Sequence, residues 1–320
     1  MKQNLVTIGI PCFNCARHLP SLLRSLDGQT FGDWEAIAID DCSTDGTADL
    51  LRSIRHPKVR VVLGQQNLGL GARLNQLHRL AETEFIARTD ADDLLHPERL
   101  RKQMECFERL PSTDVCATGA YCIDNGGRLL GVRRIPRLAT TPRQVMLRNG
   151  PSHPTITARR SWFIRFPYQS IPKRGQDLDL WTRSVSHSRI VQVDEPLHFI
   201  REDPAFDFAK YRRSMRDHRE VFRRNARLVD ESALVAYALT KSLTKEFVYG
   251  VLNACGMAPV LASRRNLPPT DAERESAQAI LDYIGASSER SMGVDGAVPL
   301  AEESEVSLRE VWQVREYGIK

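Results

Sequence analysis

The 320-residue chain predicts an α/β fold: a mainly parallel sheet flanked by helices, with a helical extension at its C-terminal end. Three observations carry this. Short apolar runs alternate with stretches of helical periodicity through the first third of the chain, as βαβ units do. The polar residues that end those runs are Pro11 to Asn14, Asp40-Asp41, Asn67 and Asp90 to Asp93, and open α/β sheets hold ligands at such strand ends. One run also stops abruptly at three carboxylates, Asp90, Asp92 and Asp93.

Taken in order, Leu5 to Ile10 reads as a buried strand closed by Pro11, and Leu19, Leu22, Leu23 and Leu26 follow at helical spacing. Trp34 to Ile39 is a second strand. It leads into Asp40-Asp41-Cys42-Ser43-Thr44-Asp45-Gly46-Thr47, where Ser43, Thr44 or Asp45 caps a helix running to Arg55. Val59 to Leu63 is a third strand, Asn67-Leu68-Gly69 a turn, and Leu70 to Leu80 a helix. The strand beginning Glu84-Phe85-Ile86 ends in the carboxylates, and the helix after Pro97 carries Leu100, Met104 and Phe107. Then the pattern changes. Val115 to Ile123 and Arg128 to Arg133 flank the hairpin signal Asn125-Gly126-Gly127, Pro154 to Arg159 is expected as a strand, and Leu178 to Ser186 as a helix.

A net charge of +5 implies only a mild preference for anionic partners, and nucleic acid is not expected among them. Seven cysteines are an odd number in a chain too long for a small secreted scaffold, which favours a reducing compartment. Cys12-Phe13-Asn14-Cys15 has no second pair at zinc spacing and reads as structural. The first apolar run stops at Pro11, too short for a secretory signal, and the longest, Phe247 to Ala262, is broken by Asn253 and Pro259. A cytoplasmic protein is expected. Residues 209–227 hold Lys210, Arg212, Arg213, Arg216, Arg219, Arg223, Arg224 and Arg227, a basic helix that is either a solvated face or a peripheral contact with an anionic membrane or acceptor. The remaining tail, with Pro268-Pro269, Gly285 to Gly296 and Glu302-Glu303, is expected to be loosely ordered in part.

Crowded carboxylates raise one another's pKa and call for a divalent metal, arginines or solvent. Oxygen ligands suit Mg²⁺ or Mn²⁺, and Mg²⁺ is usually held by one or two carboxylates plus substrate phosphates. The alternative is an acidic turn capping the helix near Pro97. No G-x-x-x-x-G-K-[ST] loop occurs, and the only G-x-G at the strand ends, Gly69-Leu70-Gly71-Ala72-Arg73, lies in the wrong place for a dinucleotide fingerprint. A bound nucleotide's diphosphate would therefore rely on a metal.

Ile10-Pro11-Cys12-Phe13-Asn14, Gln29-Thr30, Asp40 to Thr47, Asn67-Leu68-Gly69 and Ala87-Arg88-Thr89-Asp90-Ala91-Asp92-Asp93 together resemble family 2 glycosyltransferases of the GT-A (Rossmann-like) fold. His153-Pro154-Thr155 and Gly175-Gln176-Asp177-Leu178-Asp179-Leu180-Trp181 extend the resemblance to residues 4–200. It implies a nucleotide-sugar-binding half at residues 1–110 and an acceptor-binding half of the same domain at 111–204; the change in composition after Ala205 sets off a helical extension at 205–320, expected to be partly flexible. Pro11, Phe13, Asn14, Asp40, Asp41, Asn67, Arg73 and Asp90 would bind the nucleotide, and Asp92 with Asp93 the Mn²⁺ or Mg²⁺. Asp177 would be the catalytic base, with Asp179 in reserve, and His153 and Trp181 would meet the acceptor. Two departures stand out: Gln176 replaces the first member of a usual Glu-Asp pair, and Asp203 stands where relatives often have a histidine near the metal. The activity implied is inverting, metal-dependent transfer from a nucleotide diphosphate sugar, UDP-sugar foremost, to a glycan or lipid-linked acceptor in bacterial surface polysaccharide assembly. Rival readings are a sugar-phosphate nucleotidyltransferase, whose G-x-G-T-R loop is missing here, and a silent nucleotide-sugar-binding or scaffold protein.

Overall fold

Alternation along the first strands divides their side chains between two helical layers. Strands β1 (Val6–Cys12), β2 (Trp34–Asp40), β3 (Val59–Leu63) and β4 (Phe85–Arg88) pair in parallel in the order β3-β2-β1-β4. They are joined by α1 (Leu19–Asp27), α2 (Thr47–Ser53) and α3 (Leu70–Leu80). Val6, Ile8, Ile10, Ala36 and Ala38 share one core with Leu19, Leu22 and Leu26 of α1. Ile37, Ile39 and Ile86 face the other way and meet Leu74 and Leu77 of α3. Gly9 lets α3 approach closely, since a Cβ there would stand 2.6 Å from Leu77 Cδ2. The computed structural model describes residues 6–134, 137–169, 174–203, 205–229, 232–257, 266–286 and the backbone of 314–316.

The second half continues the same sheet with mixed pairing. A two-residue strand β5 (Leu94–Leu95) and α4 (Arg99–Arg109) precede the hairpin β6 (Val115–Ile123) and β7 (Leu129–Arg133). Next come α5 (Pro142–Arg148), β8 (Thr157–Arg159), α6 (Arg160–Arg165), α7 (Gln176–Ser184) and β9 (Ile190–Arg201). β8 runs antiparallel to both β4 and β6, so β6 and its parallel neighbour β9 run the same way as the first four strands. β5 and β10 (Val314–Glu316) add to β9 antiparallel. The strand expected from Pro154 is shorter, because His153–Thr155 form a 3-10 turn before β8.

Three helices follow among the described residues, α8 (Phe208–Arg224), α9 (Ser232–Ala254) and α10 (Asp271–Ala286). α8 packs on α7 and α9, with Tyr211 stacked on Tyr249 at 4.7 Å between ring centroids. α10 lends Ala277 and Ile284 to a small core with Leu94, Tyr121, Ile123, Val132 and Phe199. The tail expected to be loosely ordered lies, beyond Ala286, outside the described residues apart from 314–316. Among the described residues no helix is long and apolar enough to cross a membrane.

A buried cation ties the acidic loop after β4 to this frame. Arg99, wholly buried, donates to His198 Nδ1 (2.7 Å), to the carbonyls of Arg88 (2.8 Å) and Ile156 (3.2 Å), and to Gln103 Oε1 (3.1 Å). A guanidinium only donates, so Nδ1 must accept and the ring proton sits on Nε2. Nε2 in turn donates to Asp93 Oδ2 at 3.0 Å, while the Arg201 backbone N–H donates to Oδ1 at 2.8 Å. Burial, then the Arg99 and Arg88 charges, hold His198 well below its usual pKa and keep it neutral. Burial also lowers Arg99 to about 9, which leaves it charged at neutral pH.

Asp93→Ala would strand the His198 Nε2–H and the Arg201 N–H, and should cost about 3 kcal/mol of stability in urea denaturation. Asp92→Ala removes an exposed neighbour and should stay within about 0.5 kcal/mol of the parent. Equal losses would refute the network's role. His78 gives a second expectation. It is buried, stacked on Phe163 at 3.9 Å between centroids, and both its ring nitrogens lack partners. Burial, then Arg88, Arg79 and Arg160, bring its pKa down to about 3. The folded value lies below that of the unfolded chain, so the contribution to stability is intact above pH ~6.5 and falls by ~1.4 kcal/mol per pH unit below it. Urea melts at pH 7.5 and pH 5 should show about 2 kcal/mol of loss from this source, absent in His78→Phe. An unchanged pH slope in that variant would place the acid sensitivity elsewhere.

Candidate active site

The carboxyl ends of β1, β2 and β3 carry three loops stitched to one another. Asp41 is buried and accepts from the Leu68 and Gly69 backbone N–H groups and from Arg73 Nε, all at 2.8 Å. Arg73 also reaches the Gln66 carbonyl at 2.6 Å, passing so close to Gly64 that a Cβ there would lie 2.1 Å from Nη2. Asp40, also buried, accepts from the Ser43 N–H at 3.1 Å. Asn14, at a φ of 50°, accepts from the Thr44 N–H at 2.8 Å and donates its own N–H to Ser43 Oγ at 2.9 Å. Asp45 accepts from the Ala16 and Thr47 N–H groups (3.0 and 3.1 Å) and joins the same two loops. Asp40, Asp41 and Arg73 thus shape the rim from beneath. Phe13 and Asn67 are exposed on it, and Pro11 is half-buried.

At the end of β4 the three carboxylates divide their work. Asp90 pairs with the buried Arg88, whose Nη2 donates to Oδ1 at 2.7 Å. Burial alone would lower the Arg88 pKa, but Asp90, Tyr168, Asp93 and Asp177 outweigh it and raise it. Asp92 reaches solvent, yet the dense surroundings and then the Asp90 charge raise its pKa above the usual carboxylate range. Asp93 is turned inward with both oxygens engaged. Asp93, expected from the sequence to share the metal, is placed here with its oxygens on the Arg201 N–H and His198 Nε2. Asp203, offered by sequence as a replacement ligand, is exposed and accepts from the Ala205 N–H at 2.9 Å.

Among the described residues no group of three or more His, Cys, Asp or Glu side chains could hold a metal ion by itself. Asp90 and Asp92 fit one nonetheless. They are crowded hard-oxygen donors, one of them with a raised pKa, and Mg²⁺-type cations complete their shell from phosphates and water.

The acceptor side is set by α7, which starts after Gly175 at a φ of 144°. Asp177 is exposed, whereas Asp179 is buried in an ion pair with Arg183 (2.7 Å) and accepts from Asn225 Nδ2 (2.9 Å). Asp179, the reserve base of the sequence reading, is thus placed within this pair. Trp181 and His153, expected to meet the acceptor, lie in the interior. Trp181 is buried, packed where a Cβ on Gly150 would stand at 2.4 Å, and donates its indole N–H to the Pro151 carbonyl at 3.1 Å. His153 is buried beside the Tyr168 hydroxyl (3.2 Å) and edge-on to Trp181. One neighbour escaped the sequence reading. His218 of α8 lies with Cδ2 3.6 Å from the place of a Gly175 Cβ, and burial lowers its pKa while Asp177 opposes that. No motif surrounds it.

Residues 7–171 match the family described as "Glycosyl transferase family 2". EpsE of Bacillus subtilis (strain 168) is 31% identical over 207 residues, 62% of this chain and 73% of that protein. The structure of S. aureus TarS 1-349 in complex with UDP-GlcNAc is similar at a TM-score of 0.55 and 19% identity, covering 77% of this chain and 73% of that one. The mannosyltransferase PcManGT from Pyrobaculum calidifontis, in complex with GDP-Man and Mn²⁺, gives 0.54 and 18%, covering 88% and 86%. These likenesses in fold identify the architecture as GT-A. The matched span takes in every strand-end loop described above, and the chain belongs to the family 2 glycosyltransferases.

Proposed function

We propose that this glycosyltransferase moves a sugar from a nucleotide diphosphate sugar, UDP-sugar foremost, to a hydroxyl of a glycan or lipid-linked acceptor in surface polysaccharide synthesis, with inversion and with a divalent cation. The observation that carries the reading is Arg88. One buried guanidinium pairs with Asp90 on the donor side and feels Asp177 on the acceptor side. TarS with UDP-GlcNAc and PcManGT with GDP-Man and Mn²⁺ support the donor class and the cation.

In this reading the loops held by Asp41, Arg73 and Asn14 bind the nucleotide, with Phe13 and Asn67 on the exposed rim and Pro11 beside them. Asp177 takes the proton of the acceptor hydroxyl as its oxygen attacks the anomeric carbon from the face opposite the diphosphate. The bond to the diphosphate breaks and the configuration inverts. Asp92, with Asp90 beside it, would hold the cation, which when bound supplies charge neutralisation for the departing diphosphate. Arg88 keeps Asp90 in place and balances the carboxylates around it.

Calorimetric titration of UDP, GDP, CMP and TDP with and without Mn²⁺ tests the donor site. Metal-dependent binding of one nucleotide, lost in Asp92→Ala, is expected. Asp177→Asn should bind that nucleotide as the parent does while turnover falls roughly 10²–10⁴-fold. Full turnover in Asp177→Asn would remove the base from this position.

The partner at a membrane is assigned differently from the sequence expectation. The basic helix does not offer an apolar face, because Val221 and Phe222 of α8 are buried. The outward arc of α9 is the apolar one: Tyr237, Leu243, Phe247, Val248 and Val251 are exposed, with Phe247 at 73%. Thr240 and Thr244 are exposed on the same arc, with the Lys241 ammonium 5.8 Å from the Tyr237 ring centroid and Arg212 of α8 4.0 Å from Glu246 of α9. Apolar side chains bordered by cations suit an anionic lipid surface. Cosedimentation with phosphatidylglycerol vesicles, weak with phosphatidylcholine and lost in Phe247→Glu, is expected. Equal pelleting of parent and variant would overturn the contact.

A further inference from the structure

A cavity of about 690 Å³ opens between the first turns of α1, the turn of the β6–β7 hairpin and the last turn of α10. Its volume is that of a small-molecule site. Among the described residues, Arg17, Arg24, Arg128 and Arg201 line it against one carboxylate, Asp282, which already accepts from Gln278 Nε2 at 2.8 Å. Carbonyls satisfy much of this charge's hydrogen bonding without neutralising it. Arg24 Nε donates to the Ile284 carbonyl, and Arg201 to the carbonyls of Asp92 and Asp124, each at 2.8 Å. Among the described residues Arg128 pairs with a carboxylate, Asp124 at 3.2 Å.

The cations crowd one another. Burial, then Arg201 and Arg17, hold the His18 of the same wall below its usual pKa. The N-terminal, positive end of α1 lies in the same wall. Such a concentration of like charge is relieved by an oxyanion, which guanidinium forks bind in bidentate fashion. The cavity borders the transfer site through Arg201, which braces the Asp92 backbone.

We propose that this cavity is a second anion site, separate from the donor's, and that it takes a phosphate or carboxylate group carried by the acceptor. The assignment rests on the glycosyl-transfer reading for the word acceptor, but the anion site itself does not. An acceptor gripped there by its charged group, with a sugar hydroxyl turned toward Asp177, would be selected by charge as well as by shape.

The probes are inorganic pyrophosphate and glucuronate, titrated calorimetrically in EDTA so that metal-dependent donor binding is silent. The proteins are the parent, Arg17→Glu and the Arg17→Glu/Arg128→Glu double variant, both positions being exposed. At least tenfold weaker binding of one probe in the double variant is expected, with circular dichroism confirming that it is folded. Preference for pyrophosphate identifies a phosphate-linked acceptor, and preference for glucuronate an acidic glycan. No binding to the parent, or unchanged affinity in the double variant, overturns the site. UDP with Mn²⁺, titrated into the same parent protein, reports the donor site separately. Its failure would sink the transferase donor assignment and leave the anion site of the cavity standing.

Discussion

The guanidinium of Arg99 meets the end of β4, the turn before β8, and β9 from its place on α4. An arginine with no solvent carries a desolvation cost of several kcal/mol, and it survives in a fold only where its donors and its charge are both answered. Two carbonyls and Gln103 answer the donors. The charge is answered at one remove, by Asp93 through a neutral His198. This relay explains why two neighbouring aspartates differ so completely. Asp93 is consumed in holding the loop, and the same loop then presents Asp92 outward. The outward placement of Asp92 thus depends on the inward bonds of Asp93.

A similar division runs through the strand-end loops. Asp41 accepts three N–H bonds and Asp45 joins the loops of β1 and β2, so much of what looks like ligand chemistry is the stitching of irregular backbone that no sheet ladder can satisfy. The stitching is itself functional. It fixes the loops that would otherwise need a ligand to order them, and rigid loops lose less entropy on binding.

The first hundred or so residues were legible because every local rule agrees there. Val59–Leu63 and Leu70–Leu80 match the expected elements to the residue, and β2 extends the expected strand only by Asp40. β9 was missed because Asp194-Glu195-Pro196 break its apolar pattern at the point where its pairing with β6 shifts register. Trp181 and His153 were placed in the acceptor site by their neighbours in sequence, but their burial depends on Gly150, Tyr168 and Trp162, which only the fold brings together. The separate fates of Asp92 and Asp93 turn on a histidine more than a hundred positions downstream. The sequence already preferred Asp177 to Asp179, but the partners that bury Asp179, Arg183 and Asn225, were not legible there, the latter lying beyond the stretch that resembles the family.

The C-terminal helices carried no motif, yet they reach the working end of the molecule from two sides. α8 backs the start of α7, where His218 and Asp217 lie against Gly175 and the Asp217 carboxylate accepts from the Arg174 N–H at 3.2 Å. α10 closes the arginine-lined cavity and binds Arg24 through its last turn. The α8 contact falls on the backbone just before α7, and the α10 contact on the Arg24 side chain of α1. A GT-A sheet can therefore keep its strand-end loops while the helices behind it vary, and here those helices meet the start of α7, where Gln176 stands in place of the Glu of the resembled motif, and close a cavity lined by four arginines.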